Sequence, residues 1–181
     1  MERKIKLHDK SFRLFISNDE IESAIDKVAA RMNADFSGKE QPPILVCVLN
    51  GSILYTAELM KRLDFDAELL SIRLSSYEGT NSTGFVREVM GLSRSIEGKE
   101  VIILEDIVDT GATIETLVSM LMEKGAASVK VSTLLLKKEV YKRDIPIDYA
   151  AIEIPTRFIV GFGLDYNELG RNLKDIYVLD E

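Results

Sequence analysis

Residues 101–113, "VIILEDIVDTGAT", concentrate the side chains that could do chemistry. An apolar run meets Glu105 and Asp106, and two more apolar residues lead to Asp109, Thr110, Gly111, Ala112 and Thr113. Carboxylates this close repel one another and resist desolvation, so they call for a cation or a ligand with adjacent hydroxyls. Glu105 and Asp106 could accept hydrogen bonds from a cis-diol, directly or through Mg2+, which favours one or two carboxylates supplemented by substrate oxygens. The residues that follow are small or hydroxylated and lead into a helical pattern. Open backbone N–H groups there, with the hydroxyls of Thr110 and Thr113, would cradle a phosphate at a helix N-terminus. A lone D-T-G could be no more than a helix cap, but diol-binding acids followed at once by a phosphate cradle suggest a ribose 5-phosphate. The pattern is not the G-x-x-x-x-G-K-[ST] loop of ordinary ATP sites.

Such a site needs a frame. Branched apolar runs predict strands over 44–49, 67–74, 101–104, 129–136, 149–154, 158–162 and 176–179. Several are continuous rather than alternating, as expected of strands covered on both faces. Ile21, Ile25, Val28, Ala29 and Met32 share one face of a helix over 19–32, preceded by Ser17-x-x-Glu20, a capping-box pattern. Helical spacing recurs over 52–63, where Ser52 can cap the helix, and over 113–124, which Gly125 stops. Strand–helix–strand order in mid-chain predicts an α/β fold with a mostly parallel sheet flanked by helices. In such folds ligands sit beyond the carboxyl ends of the strands, the edge that carries the acids. Polar stretches over 33–43 and 75–84 are the loop candidates.

Composition narrows the function class. The chain has 181 residues, 46% hydrophobic and 29% charged, with net charge −7 at pH 7, the balance of one globular domain. No basic stripe points to nucleic acid, and no apolar run approaches the roughly 20 residues that span a bilayer. Cys47, the single cysteine, lies in an apolar run and reads as a buried thiol. His8, the single histidine, lies outside every motif and reads as a surface residue. The N-terminus is charged and lacks a signal-peptide core. A cytoplasmic protein with no membrane partner and no nucleic-acid partner is the expectation.

The 101–113 run resembles the phosphoribosyl pyrophosphate motif of the type I phosphoribosyltransferases. Four further stretches extend the likeness over nearly the whole chain: "VLNGSI" (48–53), "SSYEGTNSTG" (75–84), "LLLKKEV" (134–140) and "EIPTRFIVGFGLDYNELGR" (153–171). Within that family they are most similar to the hypoxanthine-guanine phosphoribosyltransferases. The resemblance implies a single domain over 1–181, with a core over about 40–150 and a small hood from about 1–20 and 155–181. It also implies Mg2+ as cofactor, a 6-oxopurine and phosphoribosyl pyrophosphate as substrates, and a homodimer or homotetramer.

The resemblance assigns roles by position. Glu105 and Asp106 hold the ribose hydroxyls and the metal shell, Asp109 is the general base, and Thr110, Gly111, Ala112 and Thr113 hold the 5′-phosphate. Asn50, Gly51 and Arg171 serve pyrophosphate. The family's usual form has a basic residue where this chain has Asn50, so a direct cation contact is missing there. Ser76 and Tyr77 occupy the place of a mobile catalytic loop, whose closure would exclude water. Lys137 donates to the purine 6-oxygen, Phe158 stacks on the base, the Ile159 backbone reads its edge, and Asp165 is a second metal-linked acid. Two other readings fit parts of the pattern: transfer to xanthine or a pyrimidine, or a nucleotide-sensing regulatory protein on the same fold.

Overall fold

The computed structural model of the protein describes residues 3–76 and 86–180. In chain order the elements are β1 (Lys4–Leu7), β2 (Lys10–Ile16), α1 (Asn18–Phe36), β3 (Ile44–Leu49), α2 (Ile53–Met60), β4 (Glu68–Ser76), β5 (Val86–Met90) and β6 (Glu100–Val108). They continue with α3 (Ala112–Glu123), β7 (Ser128–Leu136), β8 (Tyr149–Glu153), β9 (Ile159–Val160) and β10 (Ile176–Leu179). Among the described residues β5-β4-β3-β6-β7-β8 form one sheet, parallel except for β5 at its edge. A smaller antiparallel sheet has the order β1-β2-β10-β9.

The apolar strands of the large sheet are covered on both faces. Leu45, Ile102, Leu104 and Leu134 pack with Ile21, Ile25, Met32, Tyr55 and Leu59 of α1 and α2. Val46, Ile103 and Val131 point the other way and pack with Ile114, Leu117 and Leu121 of α3. Period-two alternation therefore feeds two cores at once, which is why these strands read as unbroken apolar runs. The chain goes from β3 through α2 to β4 in one direction along the sheet, and from β6 through α3 to β7 in the other. The carboxyl ends of β3 and β6 thus flank the switch point of the topology, where an open α/β sheet leaves a crevice.

Several boundaries differ from expectation. The capping box at Ser17 and Glu20 is formed, but α1 runs to Phe36 rather than Met32, because buried Phe36 extends the apolar face by one turn and stacks on Phe65. Strand β6 does not end at Leu104. It continues because Glu105, Ile107 and Val108 keep their ladder to Thr133, Leu135 and Leu136 of β7. Ser52 makes no capping hydrogen bond; its hydroxyl donates to Val48 O at 2.8 Å, and α2 closes at Met60. The strand expected over 158–162 shrinks to Ile159–Val160, since Gly161, Phe162 and Gly163 all have positive φ. Strands β1, β2 and β5 were not anticipated by periodicity. Cys47 is buried and His8 is exposed, as expected. Among the described residues no helix is long and apolar enough to cross a membrane.

Asp175 ties the smaller sheet to the first helix. It is 4% exposed, accepts from Asn18 N at 2.8 Å at the start of α1, and meets Arg3 Nη1 at 3.3 Å. A carboxylate there also complements the helix dipole. Asp175→Ala should therefore lower stability by about 2 kcal/mol, read as a lower urea midpoint at unchanged slope.

Candidate active site

The site is assembled where the ladder between β3 and β6 stops. The ladder between them ends at Cys47 and Leu104, so Glu105 and Asp106 extend past it. Glu105 is 6% exposed. Its carboxylate accepts from Asp106 N at 3.3 Å, and Asp106 Oδ1 accepts from Ile107 N at 2.8 Å. Burial is the main cause that holds the Glu105 carboxyl well above the usual carboxylate range, and the Asp106 charge adds to it. Burial raises Asp106 too, against the lowering effect of its hydrogen bonds to Glu105 and to Ile107 N and of the Arg171 charge.

The loop after β3 presses on this pair. A Cβ at Gly51 would lie 1.6 Å from Asp106 Oδ2, so only glycine allows the approach. On its other side a Cβ at Gly163, whose φ is +101°, would lie 1.9 Å from Gly51 O. Gly51 thus sits between the Asp106 carboxylate and Gly163. Arg171 holds the outer layer: its Nη1 donates to Gly163 O at 2.9 Å and its Nη2 pairs with Asp165 Oδ1 at 2.7 Å. Asp165 Oδ2 also accepts from Glu168 N at 2.8 Å. Arg171 Nε is buried without a partner among the described residues, a donor that a bound anion could satisfy. Asn50 precedes Gly51 in the same loop, and the Leu49–Asn50 peptide is cis.

Beyond β6 the chain turns into α3. Gly111 is the N-cap, with φ +86°, and no side chain caps the helix. The first-turn amides of α3 are therefore left unclaimed by a capping group. They open on a cavity of about 90 Å³ lined by Glu105 and residues 107–114. That is about three times a water molecule's share of liquid volume, and Glu105, Asp109, Thr110 and Thr113 line it together with the apolar Ile107, Val108 and Ile114. Neither Asp109 nor Thr110 acts as the cap.

Lys137 Nζ stands 2.7 Å from Asp109 Oδ2, with the lysine side chain 12% exposed and the aspartate 49%. Lys137 N donates to Val108 O, which anchors the end of β7 against the end of β6. Phe158, 46% exposed, contacts Tyr166 edge-on at 5.8 Å and Phe12 at 6.2 Å. Ile159 is buried in β9, paired with Val178. Tyr77 lies outside the described residues, and Ser76 is the last residue of β4. Motif reasoning passed over Gly163, Tyr141 and Arg143. The paired glycines of "VGFGLD" were a visible signal for the first; the other two carry none, since they meet Gly111 only in space.

Among the described residues no group of three or more His, Cys, Asp or Glu side chains forms a ready-made metal cage. Glu105 and Asp106 still supply adjacent hard oxygens whose raised proton affinity a cation would relieve. That donor set suits an ion held largely by ligand oxygens.

The chain is similar to known proteins over most of its length. A family model described as phosphoribosyl transferase domain matches residues 17–167. A hypoxanthine-guanine phosphoribosyltransferase of Streptococcus pneumoniae is 44% identical over 170 residues, covering 93% of this chain and 93% of that protein. A hypoxanthine-guanine-xanthine phosphoribosyltransferase of Tritrichomonas foetus is 38% identical over 171 residues, covering 93% of this chain and 92% of that one. The solved structure of a Trypanosoma cruzi hypoxanthine phosphoribosyl transferase superposes with a TM-score of 0.88 at 35% identity, covering 97% of this chain and 95% of that one.

The two raised carboxyls have a consequence for stability. In the pH range between the ordinary carboxylate value and the raised one, the folded protein retains protons that the unfolded chain has released. The stability these groups contribute is full at low pH and falls as pH rises through the raised values. Glu105→Gln removes the buried charge. It should flatten the decline of stability toward high pH, because one group that keeps its proton in the folded state is gone. Thermal melts across a pH series check this; a decline as steep as the parent's contradicts it.

Proposed function

The chain belongs to the phosphoribosyltransferase family, and from that premise we propose that it is a purine salvage enzyme joining hypoxanthine and guanine to 5-phosphoribosyl 1-pyrophosphate. The products are the nucleoside monophosphate and pyrophosphate. The observation that carries the choice of base is the contact between Lys137 and Asp109 at 2.7 Å. It sets a cation beside a carboxylate at the rim of the phosphate-sized cavity. A 6-oxopurine offers both complements: an acceptor oxygen for the ammonium and a ring N–H for the carboxylate. A 6-aminopurine turns donors toward the ammonium and is disfavoured.

Each step follows from the residues. The α3 first-turn amides with Thr110, Gly111, Ala112 and Thr113 hold the 5′-phosphate. Glu105 and Asp106 hold the ribose hydroxyls. The bond from the anomeric carbon to pyrophosphate breaks, its electron pair leaving on the pyrophosphate oxygen, and the bond to the purine nitrogen forms in its place. Positive charge builds on the ribose meanwhile, so catalysis consists of orienting the base and neutralising the leaving group. Arg171 and the amides of Asn50 and Gly51 face that group. Asp109 takes the proton released by the purine nitrogen. The exposed ring of Phe158 offers a stacking surface to the base, and the backbone of Ile159 offers hydrogen bonds to its edge. Mg2+ would be held by Glu105 and Asp106, with Asp165 as a further acid of its shell, and when bound supplies positive charge to the pyrophosphate. The smaller sheet serves as the hood over the base, and the loop at Ser76 and Tyr77 serves as its cover. A homodimer or homotetramer is the assembly this reading carries.

A spectroscopic assay tests the proposal by offering hypoxanthine, guanine, xanthine and adenine in turn with phosphoribosyl pyrophosphate, with and without Mg2+. Turnover of hypoxanthine and guanine but not adenine, dependent on Mg2+, is expected. Failure with every 6-oxopurine would sink it, and xanthine preferred over both would move the chain toward the specificity in the Tritrichomonas protein's name. Asp109→Asn should lower kcat by about 10²- to 10⁴-fold while the nucleotide product still binds. Lys137→Ala should chiefly raise the purine KM, by about tenfold; equal use of both bases by that variant and the parent would remove Lys137 from recognition.

A further inference from the structure

We propose that Arg143, outside every motif, is a further binding residue for the substrate's 5′-phosphate, reaching it from the strap over the N-terminus of α3; this rests on the phosphoribosyl reading above. After β7 the chain turns at Lys137, whose carbonyl accepts from Val140 N and Tyr141 N, and comes back across the start of α3. The strap is pinned there by the Tyr141 hydroxyl, which donates to Ile145 O at 2.6 Å. A Cβ on Gly111 would lie 2.5 Å from Tyr141 Cε2 and 2.8 Å from Arg143 Cγ. The arginine stem therefore lies on the α-carbon of the helix N-cap, a residue of the cavity wall.

Charge explains why an arginine is wanted at that place. The residues lining the cavity include Glu105 and Asp109 and no lysine or arginine. The nearby Lys137 is engaged with Asp109. A phosphate dianion would meet amide dipoles but two carboxylates and no free cation. In this structure the Arg143 guanidinium rests on Glu115 Oε2 at 3.3 Å, in the first turn of α3, the pair being 38% and 53% exposed. An exposed pair of this kind contributes little, about 0–1 kcal/mol. A phosphate at the same helix turn offers twice the charge and a bidentate acceptor to the planar guanidinium. Arg143 can exchange Glu115 for the phosphate at small cost, with its backbone already held by Tyr141.

The test compares Arg143→Ala, Arg143→Met and Arg143→Lys with the parent enzyme. Met keeps much of the apolar stem that lies on Gly111 and removes only the charge. The KM for phosphoribosyl pyrophosphate should rise about tenfold or more in both Ala and Met variants, the purine KM should stay within about twofold, and Lys should recover part of the loss. Binding gives a second readout. The parent should bind inosine 5′-monophosphate far better than inosine, and that preference should shrink by the same factor in the Met variant. An unchanged KM and an unchanged nucleotide preference in the Met variant, with an active parent, would overturn the role of Arg143 alone. Loss confined to Ala would also overturn it, by assigning the effect to packing on Gly111. A parent that turns over no purine with phosphoribosyl pyrophosphate would overturn the reading beneath it.

Discussion

The site depends on one mismatch in strand length. Strand β6 continues through residues 105–108 after its ladder with β3 has ended at Leu104, because β7 is long enough to keep it paired on the other side. That stretch places Glu105 and Asp106 beside Val48 and Leu49, beyond the last rung of the β3 ladder, at the point where the connections run apart to left and right. The Gly51 loop packs on the Asp106 carboxylate at a distance a larger residue would not permit. Gly163 then closes on Gly51, and Arg171 closes on Gly163. Each layer is possible only because the one beneath it is thin. Burial keeps the proton affinity of both acids high, and the Arg171 charge offsets it only in part at Asp106.

An acidic protein that handles a highly anionic substrate has to solve an electrostatic conflict, and the fold solves it locally. The uncapped first turn of α3 supplies fixed dipoles whose cost of orientation is met during folding. The two cations nearest the acids, Lys137 and Arg171, each sit on a carboxylate at 2.7 Å. Both pairs are thereby preorganised: the long side chains are already placed, so a ligand exchanges partners without first ordering them. Asp109 and Lys137 lie 28 residues apart in the chain and meet only because β6 and β7 end together.

How much of this was legible beforehand follows the range of the interactions. The capping box of α1, the parallel sheet and the two-faced strands are set by local pattern, and β3 and β10 fall at their expected bounds. The turn from β6 into α3 was legible because it is built from consecutive small and hydroxylated residues. The end of β6 was not, since Glu105 and Asp106 look like strand breakers until the length of β7 is known. β1 and β2 alternate weakly, as "KIKL" and "KSFRLFI", and β10, the strand that pairs with β2 on its other side, is more than 150 residues away. Ser52 has the right type and position for a cap yet bonds backward to Val48, a choice made by the tight loop that Gly51 allows. Tyr141 and Arg143 carry no pattern at all; only the crossing of the strap over Gly111 brings them to the site.

Asn50 shows how the same logic extends to the leaving group. On the reading proposed above, a cation at this position would face pyrophosphate. At 4 Å and an effective dielectric near 20, a unit charge pair contributes about 4 kcal/mol, whereas a neutral amide donor contributes about 1 kcal/mol net. Arg171 cannot make up the difference unaided, because its charge is shared with Asp165 and, at 3.8 Å, with Glu168. The protein groups around pyrophosphate therefore sum to little net positive charge, and the neutralisation falls on backbone dipoles and on cations that arrive with the substrate. A subsite built this way holds a metal-free diphosphate weakly and releases it readily, which suits a group whose departure completes the reaction.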